Sequence, residues 1–465
     1  MTNPLFDELF GRHVGRADPF LYLSGGATLS YADFLSLSGR LANVLSAAGL
    51  APGDRLAAQV TKSPEALALY AACARAGVIF LPLNTAYTDG ELDYFIADSG
   101  ARMVVCDPAR EAGIRGIAAG AVVRTLNGDG AGTLMDAVAE QPADHDPAPR
   151  TADDLAAFLY TSGTTGRSKG AMLTQGNLLS NARTLAELWR FTDADVLLHA
   201  LPIFHTHGLF VATNVTLVAG GAMAFLPGFD LDAVIARLPE ATAMMGVPTF
   251  YTRLLDDARF DADLVRHMRL FVSGSAPMLA ETHARFEART RHRVLERYGM
   301  TETNMNTSNP YDGERRAGTV GLPLPDVELK VTNPATGEVL TSGEVGQIEV
   351  RGPNVFKGYW QMPEKTAAEL REDGFFITGD LGVLDADGYV TIVGRDKDLV
   401  ISGGYNIYPK EIELVLDDQP GVSESAVVGV PHPDFGETPV AVLVSEPGAE
   451  LNLGDIEAAL RADLA

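Results

Sequence analysis

From about residue 28 onward, short apolar or β-branched runs alternate with stretches of helical periodicity, the pattern of parallel strands covered by helices. Residues 56–60, 78–83 and 103–106 are predicted as strands, with helices over 64–75 and 91–97 between them. A second series runs strand 156–160, a glycine- and hydroxyl-rich loop, helix 177–189, strand 196–200, helix 231–238 and strand 270–273. The fold class expected is α/β, with two doubly wound sheets in the larger part of the chain.

After Gly318 the texture changes to glycine, proline and valine punctuation, and strands at 327–331, 346–350 and 389–393 predict a small, mostly antiparallel β unit. Beyond Arg395 comes strand 399–401, helix 409–416, strands 425–430 and 439–444, and helix 453–460. That second, shorter α/β pattern predicts a separate lid, so the expected division is a large N-terminal domain at 1–394 and a small C-terminal one at 395–465. The stretch 209–226 comes nearest to a membrane span, but Thr213, Asn214, Thr216, Gly220 and Gly221 interrupt it, and it reads as buried core.

Composition narrows the function classes. At 465 residues the chain exceeds one ordinary core, and its 46% apolar content is ample for burial. A net charge of -25 repels phosphate backbones, which argues against nucleic acid and against an anionic membrane surface as partners. Cys73 and Cys106 stand far apart, with no zinc-type spacing, as expected in a reducing cytosol. The N-terminus lacks an apolar signal segment, and Asp7 and Glu8 do not suit a transit peptide, so a cytoplasmic location is expected.

The loop after strand 156–160 carries the first chemical signal. Residues 161–170 read TSGTTGRSKG. Gly163, Gly166 and Gly170 let backbone N–H groups approach phosphate oxygens, Thr161, Ser162, Thr164 and Thr165 offer hydroxyls, and Lys169 adds a charge. The order of residues is not that of a Walker A loop, because Lys169 follows Ser168 and precedes Gly170. The crowding still points to a nucleoside triphosphate.

Further segments follow in a fixed order: GSAP at 274–277, YGMTE at 298–302, TGD at 378–380, GRDKD at 394–398 and GGYNIYPKEIE at 403–413. With these the chain resembles the adenylate-forming superfamily of acyl-CoA synthetases, luciferases and peptide-synthetase adenylation domains, from about residue 20 to the C-terminus. The resemblance implies ATP, Mg²⁺ and coenzyme A as co-substrates and cofactor, with a small C-terminal domain that swings between two half-reactions. It places the β and γ phosphates on the 161–169 loop and adenine on Tyr298, with Gly274, Ser275, Ala276 and Pro277 opposite. Glu296, Arg297, Gly299 and Met300 belong to the same nucleotide site. Thr301 is implied at the α-phosphate, Glu302 and Thr165 at Mg²⁺, and Asp380 and Arg395 at the ribose. Lys397 is implied as the hinge, Gly403 and Gly404 as the pantetheine tunnel, and His205 as a gate between tunnel and acid.

The acid itself is expected to be a short dicarboxylate. The segments PIFHTHG, GVPTFYTR and LERYGMTE bring His207, Arg253 and Arg297 to the acyl region, with Ser273 beside them, where a simple fatty acyl pocket would be apolar. A guanidinium meets a second carboxylate in a bidentate fork, and these segments, with GPNVFKGYWQMPEKT, resemble the malonyl-CoA synthetase branch of the superfamily. Malonate, or methylmalonate, is the expected substrate; a nucleotide-binding polypeptide without turnover and an adenylation domain that loads a carrier protein are the rival readings, and oligomeric state stays open. The sequence stops at Ala465 before any P-x-x-x-x-G-K segment of the family type, so the resemblance implies a polypeptide that binds nucleotide and forms thioester but makes adenylate slowly.

Overall fold

The structure, a computed structural model, describes residues 2–118, 120–161, 167–402, 405–432 and 436–463. Within those residues the strands form four sheets. The six-stranded sheet orders Val122–Thr125, Met103–Cys106, Arg55–Gln59, Ile79–Pro82, Leu155–Thr161 and Lys169–Thr174. Its first five strands run parallel and the last pair antiparallel. The nine-stranded sheet has a parallel centre in which Leu295–Met300, Leu270–Ser273, Ala243–Gly246, Val196–His199 and Ala222–Phe225 lie side by side.

Local chemistry sets the helix ends that the sheets require. The helix Pro64–Ala76 begins with Ser63 accepting the Ala66 N–H and a proline in the first turn, and stops where Gly77 turns left-handed at φ 68. Thr88 and Glu91 close a reciprocal box on Asp89–Ser99, and Thr174 and Asn177 do the same on Gln175–Leu188. The buried faces of these helices join the strands in continuous apolar clusters, with Trp189, Tyr70 and Phe158 almost wholly enclosed.

The predicted antiparallel unit is present as Glu328–Thr332, Gly346–Arg351, Phe376–Leu384 and Val390–Arg395. Past it, strands Val400–Ser402, Tyr405–Ile407, Val422–His432 and Gly436–Ser445 form the last sheet, and its helices Pro409–Asp417 and Leu453–Asp463 bury Leu416 and Ile456 against it. No helix among the described residues is long and apolar enough to cross a membrane. The 209–226 stretch is core, as expected, and its first residues belong to a π-helix, His207–Thr213.

Two expectations need correction. The glycine-rich loop does not run straight into a helix: Lys169–Thr174 folds back as a strand on Leu155–Thr161, with Thr161 opposite Lys169 and Tyr160 opposite Gly170. The TGD segment lies inside the strand Phe376–Leu384, which the apolar pattern does not predict, and Asp380 pairs with Arg395 across the sheet.

Candidate active site

A cavity of about 750 Å³ opens where the nine-stranded sheet, the small antiparallel sheet and the C-terminal module meet. It lies at the carboxyl ends of Leu270–Ser273 and Leu295–Met300, where open α/β sheets place their ligands. Ser275–Pro277 and Glu296–Met300 line one wall, Asp380 and Arg395 another, and Lys397 sits at the rim of the C-terminal module. Most nucleotide residues expected from the motifs are therefore brought together, while Ser162, Gly163, Thr164, Thr165, Gly166, Gly403 and Gly404 lie outside the described residues.

Tyr298 and Asp380 span the cavity. The Tyr298 hydroxyl donates to Asp380 Oδ2, and Arg395 Nε stands 3.0 Å from Asp380 Oδ1. Burial raises the Asp380 carboxyl above the usual range although Arg395 pulls it back, and burial beside that carboxylate raises the Tyr298 phenol. Glu296 lines the wall but is already engaged: its Oε2 accepts the Met278 N–H at 3.3 Å and its Oε1 lies 2.7 Å from His283 Nε2. It props the Ser275–Pro277 turn from behind, and Ser275 holds a left-handed φ of 72.

Successive residues of a strand face opposite ways, so Arg297 turns from Glu296 toward the Pro202–Gly208 segment. It is only 3% exposed, and its Nε and Nη2 have no hydrogen-bond partner among the described residues. Burial lowers its pKa to about 9. His207 Nε2, Ser273 Oγ and Thr206 Oγ1 are likewise buried without partners, and His207 Nδ1 stands 3.3 Å from Ser275 Oγ. Burial, then the Arg297 charge, lowers the pKa of both His207 and the more open His205, so neutral imidazoles face the guanidinium. Arg253 is not part of this group: it is exposed at the end of Pro248–Leu255, above the Phe229 ring.

Gly274 makes the arrangement possible, since a Cβ there would lie 2.4 Å from Arg297 Cζ. The Gly274→Ala variant is expected to displace the guanidinium and raise KM for the acid about 10- to 100-fold, with KM for ATP little changed. Steady-state kinetics with each substrate varied separately checks this; an unaltered acid KM would refute the contact.

A second cluster flanks the glycine-rich loop. Lys169 Nζ lies 3.2 Å from the Tyr359 hydroxyl and 3.4 Å from Glu369 Oε2, and that hydroxyl, with a single proton to give, stands 2.7 Å from Glu369 Oε2 and 3.0 Å from Glu302 Oε1. Burial raises the Glu302 carboxyl above its ordinary range. Thr301 precedes it, half-buried. Tyr359 and Glu369 were not singled out from the sequence; Tyr359 lay within the FKGYW run, and Glu369 carried no signal of its own.

The family model described as AMP-binding enzyme matches residues 12–360, and that for the AMP-binding enzyme C-terminal domain matches 411–465. The chain belongs to the AMP-binding enzyme family. Among its AMP-binding relatives, a feruloyl-CoA synthase of Amycolatopsis sp is 39% identical over 446 residues, covering 95% of this chain and 88% of the relative. A malonate–CoA ligase of Arabidopsis thaliana is 42% identical over 325 residues, 64% of this chain and 52% of that protein. The ATP-bound crystal structure of MatB from Rhodopseudomonas palustris superposes with a TM-score of 0.98 at 58% identity, covering all of this chain and 93% of that one.

Proposed function

We propose that this AMP-binding enzyme joins malonate to coenzyme A, and that Arg297 holds the carboxylate that does not react. The class of reaction is AMP-forming acid–thiol ligation, dependent on ATP and passing through an acyl adenylate. The observation that carries the acid assignment is the guanidinium of Arg297, buried with two unpartnered donor groups. A buried cation without a counter-charge is costly, and a distal carboxylate meets it with a bidentate pair, while His207 Nε2 and Ser273 Oγ supply the remaining polar contacts. Exposed Arg253 offers no such pocket, which favours Arg297 between the two arginines expected for this role.

In this reading Tyr298 packs on adenine between its strand and the Ser275–Pro277 turn, and Asp380 exchanges its Tyr298 contact for the ribose hydroxyls, steadied by Arg395. The proximal carboxylate oxygen attacks the α-phosphorus, the bond to the bridging oxygen breaks, and pyrophosphate leaves in line. Lys169, freed from Glu369, offsets charge on the departing phosphates, and Thr301 donates to the α-phosphate. Coenzyme A then adds its sulfur to the acyl carbon past His205, the thiol proton is lost and AMP departs with the anhydride oxygen. Lys397 is the pivot of the C-terminal module.

Glu302 and Glu369, both next to the Tyr359 hydroxyl, present the hard oxygen donors that Mg²⁺ prefers. Glu302 would hold the ion, which supplies neutralisation of phosphate charge when bound.

Pyrophosphate release with malonate, methylmalonate, acetate and butyrate, with and without coenzyme A, tests the assignment. Malonate is expected to exceed acetate and butyrate by about 10⁴ in kcat/KM, as for a site built around a polar partner. Equal rates for all acids would end the dicarboxylate reading.

A further inference from the structure

Lys62 is 7% exposed, follows the strand Arg55–Gln59 and has no carboxylate at its ammonium among the described residues. Its Nζ lies 2.8 Å from His199 Nδ1, 2.8 Å from the His199 carbonyl oxygen, 2.9 Å from the Leu201 carbonyl oxygen and 4.3 Å from the centre of the Phe225 ring. On the other side of the imidazole, His199 Nε2 stands 2.8 Å from the Gly208 carbonyl oxygen, which also accepts from Thr213 Oγ1 at 3.0 Å. A carbonyl only accepts, so His199 carries its proton on Nε2 and presents the Nδ1 lone pair to the ammonium. Three protons of the ammonium then meet three acceptors.

The carbonyl held this way follows His207 in the chain, at the start of the π-helix His207–Thr213, an element frequent at functional sites. Gly208 allows the tight approach: a Cβ there would lie 2.0 Å from the Pro202 carbonyl oxygen. The turn between Pro202 and Gly208 carries His205 and His207, the imidazoles whose pKa Arg297 lowers. Lys62 lies just past a strand of the six-stranded sheet and His199 ends a strand of the nine-stranded one, so the contact ties the turn to both.

We propose that Lys62 is a positioning residue for acid recognition: it sets the tautomer of His199, His199 fixes the Gly208 carbonyl, and the turn thereby aims His207 at the carboxylate held by Arg297. The proposal rests on the dicarboxylate reading above. Burial pushes both the Lys62 amine and the His199 imidazole well below their ordinary pKa values, the latter helped by the neighbouring charge; His199 therefore stays neutral, while the three acceptors around Lys62 Nζ, one for each N–H, hold the ammonium against that desolvation. A methionine would fill the same volume without the desolvation cost of an amine, so the lysine's distinct contribution is its three donated hydrogen bonds.

The test uses Lys62→Met and Lys62→Gln in the full chain, with KM and kcat measured separately for malonate and ATP. Lys62→Met is expected to raise KM for malonate about 10-fold or more while KM for ATP stays within about twofold, and Lys62→Gln, which keeps one donor for Nδ1, is expected to recover part of the loss. A lysine that only stabilises the fold would lower the melting temperature and the active fraction and leave both KM values alone; that result in folded protein overturns the proposal. Two-bond ¹⁵N–¹H spectra of the unmodified protein serve if the methionine variant does not fold: His199 is expected as the neutral Nε2–H tautomer between about pH 6 and 8, and an Nδ1–H or doubly protonated ring overturns it. If the unmodified protein itself uses butyrate as well as malonate, the dicarboxylate reading falls; if it is selective and Lys62→Met keeps its malonate KM, only the Lys62 relay falls.

Discussion

Replacing Arg297 with methionine is expected to lower kcat/KM for malonate by about 10³- to 10⁴-fold and to leave acetate or butyrate unharmed or improved. The guanidinium is enclosed with two unpartnered donor groups, and under the proposed function the second carboxylate of the acid is the group that satisfies it. Removing it takes away the bidentate contact and leaves a carboxylate facing neutral His207 and Ser273, which pair it poorly. The same substitution is expected to raise the melting temperature of the ligand-free protein by about 1–4 °C, because an unpaired buried cation opposes folding. Opposite signs for stability and activity distinguish a binding arginine from a structural one. Calorimetric melting and substrate-by-substrate kinetics read both, and a variant that loses stability together with activity on every acid would place Arg297 in the core instead.

The second large effect is at Asp380. Asp380→Ala is expected to weaken ATP and AMP binding by about 10²-fold or more, since an ionised carboxylate accepting from two hydroxyls contributes roughly 1.5–3 kcal/mol per hydrogen bond. Arg395 is half exposed and solvates readily once its partner is gone, so the loss reports the nucleotide contact more than a stranded charge. Asp380→Asn, which keeps one acceptor, is expected to fall between the two. Titration calorimetry with AMP measures this directly, and an affinity within about threefold of the unmodified protein would remove Asp380 from the ribose.

The alternation of apolar runs and helical stretches was enough to read the parallel strands, because each is a nearly continuous apolar segment bounded by caps. Met103–Cys106 and Leu270–Ser273 coincide with their expected limits. The hairpin at Lys169–Thr174 escaped because its glycine and lysine read as loop, and the strand Phe376–Leu384 escaped because Thr378, Gly379 and Asp380 interrupt its apolar pattern. In both places residues suited to ligand chemistry stand where strand formers belong, and cross-strand pairing overrides local propensity.

The motif residues Ser275–Pro277, Tyr298, Asp380 and Arg395 do line one cavity, but of the two arginines expected for the acid only Arg297 is buried beside it. The sequence offered both Arg253 and Arg297, Arg253 first; burial reverses that order, and burial is a property of the assembled sheets. Tyr359, Glu369 and Lys62 gave no motif, since each acts through neighbours far away in the chain: Lys62 meets a histidine 137 positions later.

Tyr298 and Asp380 belong to separately folded layers, the broad sheet and the small antiparallel one, and meet only across the cavity. A ligand that engages both is recognised by two half-sites whose spacing the fold has already set. AMP should therefore gain more affinity than adenine and ribose 5-phosphate contribute apart, and the surplus is a direct measure of how firmly the protein holds those two layers in register.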